Sequence, residues 1–279
     1  MKTFETFWKS KDGLDIFAQG WEPDGKPKAV VCLVHGLGEH SGRYAHVGAA
    51  FAGAGFVLTG FDLRGHGKSG GPRGHSPIFE NFMQDIDLFL AQSRQRYPGL
   101  PVFLYGHSLG AILVLNYALR RKPDLAGVIS TAASLRNALE EQKAKVAMAK
   151  LFGSVLPTMA IASGLDPTTI SRDSRVVQAY VDDPLVHDRL SFGMGKQLLE
   201  AIAYAFAHAP EFSVPLLIMH GAEDALGYPS GSQEFAELVP GDCVLKLWDG
   251  LYHEIHNEPE KDEVFKFIFS WLDRHLPAK

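Results

Sequence analysis

Apolar and polar residues change rhythm along this chain, and the changes mark its elements. FETFWKS and LDIFAQGWEP read as two strands flanking the turn KDG, whose glycine punctuates an antiparallel hairpin. From Lys28 the pattern differs. KAVVCLVHG is an unbroken apolar run, as a strand buried on both faces requires. YAHVGAAFAGAG follows at helical spacing and stops at glycine. FVLTGFD is the next strand. Phe79, Phe82, Met83, Ile86, Phe89 and Leu90 then recur at helical spacing through PIFENFMQDIDLFLAQSRQRYPG. PVFLYGHS, LGAILVLNYALRRKP and LAGVISTAA repeat strand, helix, strand. The alternation resumes later with VPLLIMHG, GSQEFAELVP, CVLKLWDG and DEVFKFIFSWLDRHL. Such alternation predicts a mainly parallel sheet with helices on both faces.

The interruption runs from residue 134 to 210. It is rich in Ala, Met and Leu, and KVAMAKLFGSVLPTMAIASGL carries more apolar residues than a solvated helix needs. An insertion between two sheet strands lies above their carboxyl ends, where open α/β sheets bind ligands. The expected arrangement is therefore a helical cap at 134–210 on a core of 1–133 and 211–279. The alternative is a packing extension of the core.

Composition narrows the function classes. With 279 residues, 46% hydrophobic and 21% charged, the chain can bury a full core. A net charge of −5 without a basic stretch offers nucleic acid no electrostatic footprint. Cys32 and Cys243 sit in separate strand-like runs and read as core thiols, not as a disulfide framework. MKTFETFWKSKDG has no apolar signal-peptide region and no stretch is long enough to span a bilayer, so a cytoplasmic location is expected. No His or Cys pair has metal-ligand spacing with a partner cluster, and neither metal nor cofactor is expected.

The chemistry gathers at three places. Gly106-His107-Ser108-Leu109-Gly110 is a G-x-S-x-G between a strand and a helix, the setting of a nucleophile elbow. A serine hydroxyl needs a base to take its proton and a carboxylate to orient that base. In such proteins the acid and then the histidine follow the serine in chain order. HGAEDALGYP, after the strand VPLLIMH, offers Asp224 and Glu223; Asp242 and Asp249 lie nearer the next strand. WDGLYHEIHNEPE, after the last strand, offers His253, with His256 as its rival. For the oxyanion, the N–H of Leu109 follows the nucleophile, and His35-Gly36-Leu37-Gly38 places Leu37 N–H on the loop after an earlier strand. Asp62-Leu63-Arg64-Gly65-His66-Gly67-Lys68-Ser69 does not satisfy the phosphate-loop pattern and reads as scaffolding, with His66 at most a supporting residue.

VHGLGEHSGRY, FDLRGHGKSGGPRGH, YGHSLGA, DDPLVHDRLSFG and GLYHEIHNEPEKDEVF resemble, in order, the signature stretches of the monoacylglycerol lipase and lysophospholipase branch of the α/β hydrolases. The resemblance covers most of the chain and weakens in the inserted segment. It implies an α/β-hydrolase fold, with a mostly parallel eight-stranded sheet flanked by helices and a mobile apolar cap over an acyl tunnel. It implies Ser108 as nucleophile, Asp224 as acid, His253 as base, and Leu37 and Leu109 as oxyanion donors. The implied activity is serine ester hydrolysis, foremost release of a fatty acid and glycerol from a monoacylglycerol. Lysophospholipase, short- or medium-chain carboxylesterase, thioesterase, an aminopeptidase of the same fold and a non-catalytic binder are the alternatives. The implied partner is a small lipid ester, with transient contact of the cap to a membrane surface. Gly227 stands where a bulkier apolar residue would be expected, which predicts a looser acid loop. Activity should rise with pH as the base loses its proton, at about pH 6–7 for an ordinary histidine.

Overall fold

In the computed structural model, which describes residues 1–137 and 143–277, the sheet has eight strands in the order β1-β2-β4-β3-β5-β6-β9-β10. The hairpin strands β1 (Lys2–Lys9) and β2 (Asp15–Glu22) are antiparallel, and β2 runs antiparallel to β4 (Val57–Phe61). From β4 onward, neighbours β3 (Val30–Val34), β5 (Val102–His107), β6 (Gly127–Thr131), β9 (Leu216–Gly221) and β10 (Cys243–Trp248) are parallel. All residues of β3, β4, β5, β6 and β9 are buried, which explains their continuous apolar runs.

Alternate residues of β3 feed two cores. Val30, Cys32 and Val34 pack with α2 (Phe79–Arg96) and α3 (Leu109–Arg121). Val31 and Leu33 pack with α1 (Ala45–Gly53) and the C-terminal helix Lys261–Arg274. Leaving β3, the chain crosses to β4 through α1 on one face. It returns to β5, on the other side of β3, through α2 on the opposite face. The connections thus diverge between β3 and β5, and their carboxyl ends frame a crevice of the kind that binds ligands.

The segment between β6 and β9 holds α4 (Lys143–Phe152), α5 (Ser174–Asp182) and α6 (Phe192–His208). It also contains a two-stranded antiparallel ribbon, β7 (Ala160–Ala162) and β8 (Arg189–Ser191), that helical periodicity does not disclose. Strands of three residues are too short to print a period of two. Residues 138–142 of the expected cap lie outside the described residues.

The loop 62–69 is scaffolding. Asp62 accepts hydrogen bonds from Ser41 N and Oγ and from Lys68 N, and Arg64 bonds Asp85 and Asp12. Beside it α3, buried from Leu109 to Leu119, crosses the sheet closely. A Cβ at Gly110 would run into the carbonyl oxygen of Val34, and one at Gly106 into that of Gly110. Gly110→Ala should therefore force α3 off β3 and cost about 3 kcal/mol. Chemical denaturation checks this, and an unchanged midpoint would contradict the close crossing.

Candidate active site

Ser108 occupies the turn between β5 and α3 with φ 54° and ψ −115°. A non-glycine residue there costs about 1–3 kcal/mol and persists only where its surroundings hold it. Ser108 N donates to Thr131 O at 2.9 Å, and its carbonyl accepts from Ala111 N at 3.0 Å and Ile112 N at 3.2 Å. The side chain is thereby aimed away from the sheet. Gly36 leaves the approach open, since a Cβ there would lie 3.2 Å from Ser108 Cβ and 2.8 Å from Glu39 Oε1.

Two loops bring the partners. His253, on the loop after β10, places Nε2 2.9 Å from Ser108 Oγ and Nδ1 2.6 Å from Asp224 Oδ2. The network assigns the tautomer: Ser108 Oγ–H donates to Nε2, and Nδ1–H donates to Asp224. Asp224, on the loop after β9, is held by further donors. His220 Nε2–H, 2.9 Å away, also reaches Oδ2, while Leu226 N and Gly227 N reach Oδ1 at 2.8 and 3.0 Å. His220 is itself set by Ser232 Oγ at 2.7 Å and Gly227 O at 2.8 Å. The expected loosening at Gly227 does not occur. Its N–H and C=O both tie the acid loop, and a Cβ would press on Ser134 Oγ at 3.0 Å.

Burial disfavours the Asp224 anion, but the neighbouring imidazoles and their hydrogen bonds outweigh it and hold the carboxyl well below the usual range. Burial also disfavours charge on His253. The charge of Asp224 and its hydrogen bond override that, so the imidazole titrates above the ordinary 6.5. The acid limb of any reaction using it therefore lies higher than an ordinary histidine implies.

The rivals fall elsewhere. Glu223 and Asp249 are exposed, and Asp242 pairs with His275 at 2.8 Å. His256 is buried, stacked on Tyr44 and edge-on to His107, and burial drives its pKa down to about 3. Leu109 is the first residue of α3, so no carbonyl precedes its N–H within the helix. Leu37 lines the same cavity as Ser108, Leu109 and His253. That cavity, of about 170 Å³, is walled mostly by apolar side chains, including Ile112, Ile161, Phe192, Leu198 and Leu199. Ser134 Oγ is 3.5 Å from Ser108 Oγ. Among the described residues no group of three or more His, Cys, Asp or Glu could hold a metal ion, and no helix is long and apolar enough to cross a membrane.

Sequence reading missed His220, Ser134 and the buried ions Glu39, Arg43 and Glu254. His220 had a signal, since an HG pair directly follows β3 and another ends β9. Arg43 pairs with Glu39 four residues away and with Glu254 across 211 residues, and nothing local marked the three as buried.

Comparison with known proteins gives the family of the chain. Residues 25–260 match the family described as "Serine aminopeptidase, S33". The monoacylglycerol lipase of Mycolicibacterium smegmatis is 35% identical over 95% of this chain and 95% of its own length. The chain belongs to this family of α/β-hydrolase serine hydrolases. A further member, an abhydrolase domain-containing protein of Dictyostelium discoideum, is 42% identical over 92% of this chain, which spans only 27% of that protein. The crystal structure of Paleococcus ferrophilus monoacylglycerol lipase superposes with a TM-score of 0.85 at 34% identity, covering 99% of this chain and 100% of that one. As in other serine hydrolases, the electrostatics of the histidine should decide the pH range. By NMR, His253 should titrate above 6.5. In Asp224→Asn, with burial no longer opposed by the nearest anion, its pKa should fall. An unmoved titration would contradict the pairing.

Proposed function

We propose that the chain is a monoacylglycerol lipase working through an acyl-enzyme on Ser108. The observation that carries the reading is the hydroxyl of Ser108, 2.9 Å from an imidazole backed by a carboxylate, at the mouth of an apolar cavity. His253 accepts the proton of Ser108 as its oxygen attacks the ester carbonyl. The oxyanion rests on the N–H groups of Leu37 and Leu109, each such donor contributing about 3 kcal/mol. Protonated His253 then gives its proton to the leaving glycerol oxygen, and water repeats the sequence on the acyl-enzyme. Asp224 keeps the imidazole in the required tautomer.

The two sides of Ser108 differ in the way a monoacylglycerol does. Apart from the imidazole of His253, none of the described residues lining the larger cavity is ionisable. Burying an acyl chain there gains about 0.8 kcal/mol per methylene. The free amino group of a peptide substrate would be buried without a counter-ion, which disfavours aminopeptidase chemistry. On the other side a smaller cavity is lined by Glu39, Tyr180, Glu254 and His253, groups suited to the hydroxyls of a glycerol. We read residues 134–210 as the lid over a core of 1–133 and 211–279. Leu151, Val155, Leu156 and Met159, 46–73% exposed, form the lid surface that would touch a lipid aggregate. The two free thiols suit the cytoplasm.

Rates across mono-, di- and triacylglycerols, lysophospholipids and amino-acid arylamides test the reading. Monoacylglycerols should be cleaved fastest. Preference for lysophospholipids would move the assignment to that head group, and preference for arylamides would overturn it. A fluorophosphonate should label Ser108, and Ser108→Ala should lose at least about 10³-fold in kcat. A protein left unlabelled would be a binder.

A further inference from the structure

Beside His253 lies a buried ion cluster that the proton relay does not use. Arg43, in the turn Ser41–Tyr44 after β3, has 9% of its side chain exposed, Glu39 3% and Glu254 4%. Arg43 Nη1 donates to Glu39 Oε2 at 2.7 Å and to Glu254 Oε1 at 2.6 Å, while Nη2 donates to Glu254 Oε2 at 2.8 Å. Each carboxylate is tied to a different loop of the site. Glu39 Oε1 accepts from Gly36 N at 2.6 Å, immediately before Leu37, and from Tyr44 Oη at 2.8 Å. Glu254 follows His253 in the chain, its Oε2 accepts from Asn257 Nδ2 at 2.7 Å, and its N–H donates to Ile170 O at 2.8 Å. The guanidinium also lies over the ring of Tyr180 in α5, 4.7 Å from its centroid.

We propose that Arg43 is a positioning residue for the reaction, its guanidinium clamping the loop that carries Leu37 to the loop that carries His253. This rests on the reading of Ser108, His253 and Leu37 given above. Oxyanion donors and base must keep a fixed separation, and nothing in the triad itself links them. A buried ion set is weak evidence for stability, because desolvation offsets much of the attraction. A planar fork bridging two carboxylates is instead a geometric device, one that a lysine, a point charge, cannot reproduce.

The clamp also enters the electrostatics of the base. His253 faces Asp224, Glu254 and Glu39 as anions, Arg43 as a cation, and the imidazoles of His107, His220 and His256. Glu254 and Glu39 raise its pKa after Asp224 has done so. Replacing Glu254 with a neutral amide removes one anion and must lower the acid limb. Arg43→Lys keeps the charge and must leave the limb in place.

The test measures kcat, KM and the pH–rate profile on p-nitrophenyl butyrate for Arg43→Lys, Glu254→Gln and the double variant. Fluorophosphonate labelling and a thermal melt accompany each. Both single variants should lose about 10- to 100-fold in kcat with KM within about threefold. Glu254→Gln alone should shift the acid limb to lower pH. The double variant should be no slower than the slower single one, because the same link is already broken. A kcat within twofold of wild type in a folded Arg43→Lys, a loss confined to KM, or losses that multiply in the double variant would overturn the clamp. If Arg43→Lys does not melt cooperatively, Glu254→Gln decides alone: unchanged kcat with an unmoved limb overturns the proposal. Failure of the wild type to label at Ser108 would overturn the catalytic reading and the clamp with it. Full labelling beside unchanged variants would overturn the clamp only.

Discussion

The hydrogen bond of 2.6 Å between His253 Nδ1 and Asp224 Oδ2 orients the imidazole so that Nε2 faces Ser108 Oγ. Rotating the ring would turn Nε2 away from Ser108, and the hydroxyl would lose its acceptor. That bond is only as firm as the carboxylate behind it. Asp224 is buried, and a buried anion has to be met by donors. Besides His253 it meets His220 from β9 and two backbone N–H groups from its own loop. Ser108 is fixed by different means. Its left-handed backbone is trapped where α3 crosses β3 at glycine distance. The sheet supplies both constraints, because β5, β9 and β10 end on the same edge and run parallel.

Around this relay the charges are distributed unevenly. Apart from the imidazole of His253, the larger cavity beside Ser108 has no ionisable group among its described lining residues, while the smaller one is lined by Glu39 and Glu254, both bonded to Arg43. On the proposed reading an amphiphile puts its tail in the larger cavity and its head toward the ions. The inserted segment is tied to the core by polar contacts close to the site. His187 N donates to Gly38 O and Ser191 N to Gly74 O, both at 2.9 Å, and His40 pairs with Asp183. Gly38 and Gly74 are positions where a Cβ would collide with the backbone of the inserted segment. The glycines of the HGLG and PRGH stretches therefore serve the seating of this segment as well as their own turns.

Much of this was legible in the sequence where a local pattern carries the physics. Unbroken apolar runs mark strands buried on both faces, and the elbow is recognisable because strand, turn and helix are contiguous around Ser108. Spacing alone left Asp224 and Glu223 unseparated, since both lie on one loop; burial against His220 is what distinguishes them. The bulk expected at Gly227 was misjudged because the space it would fill belongs to Ser134, distant in sequence. The ribbon β7–β8 escaped because three residues give no period. The Arg43 clamp escaped because its partners come from opposite ends of the chain, and a charged residue in a polar stretch looks solvated until the fold buries it.

The most direct measurement of the central claim is a crystal structure of the phosphonate adduct. The oxyanion donors are backbone groups that side-chain mutation does not delete. The account predicts phosphorus bonded to Ser108 Oγ, with the phosphoryl oxygen about 2.7–3.1 Å from both Leu37 N and Leu109 N and His253 still bound to Asp224. An adduct whose oxygen points into the acyl cavity, away from both N–H groups, would contradict it.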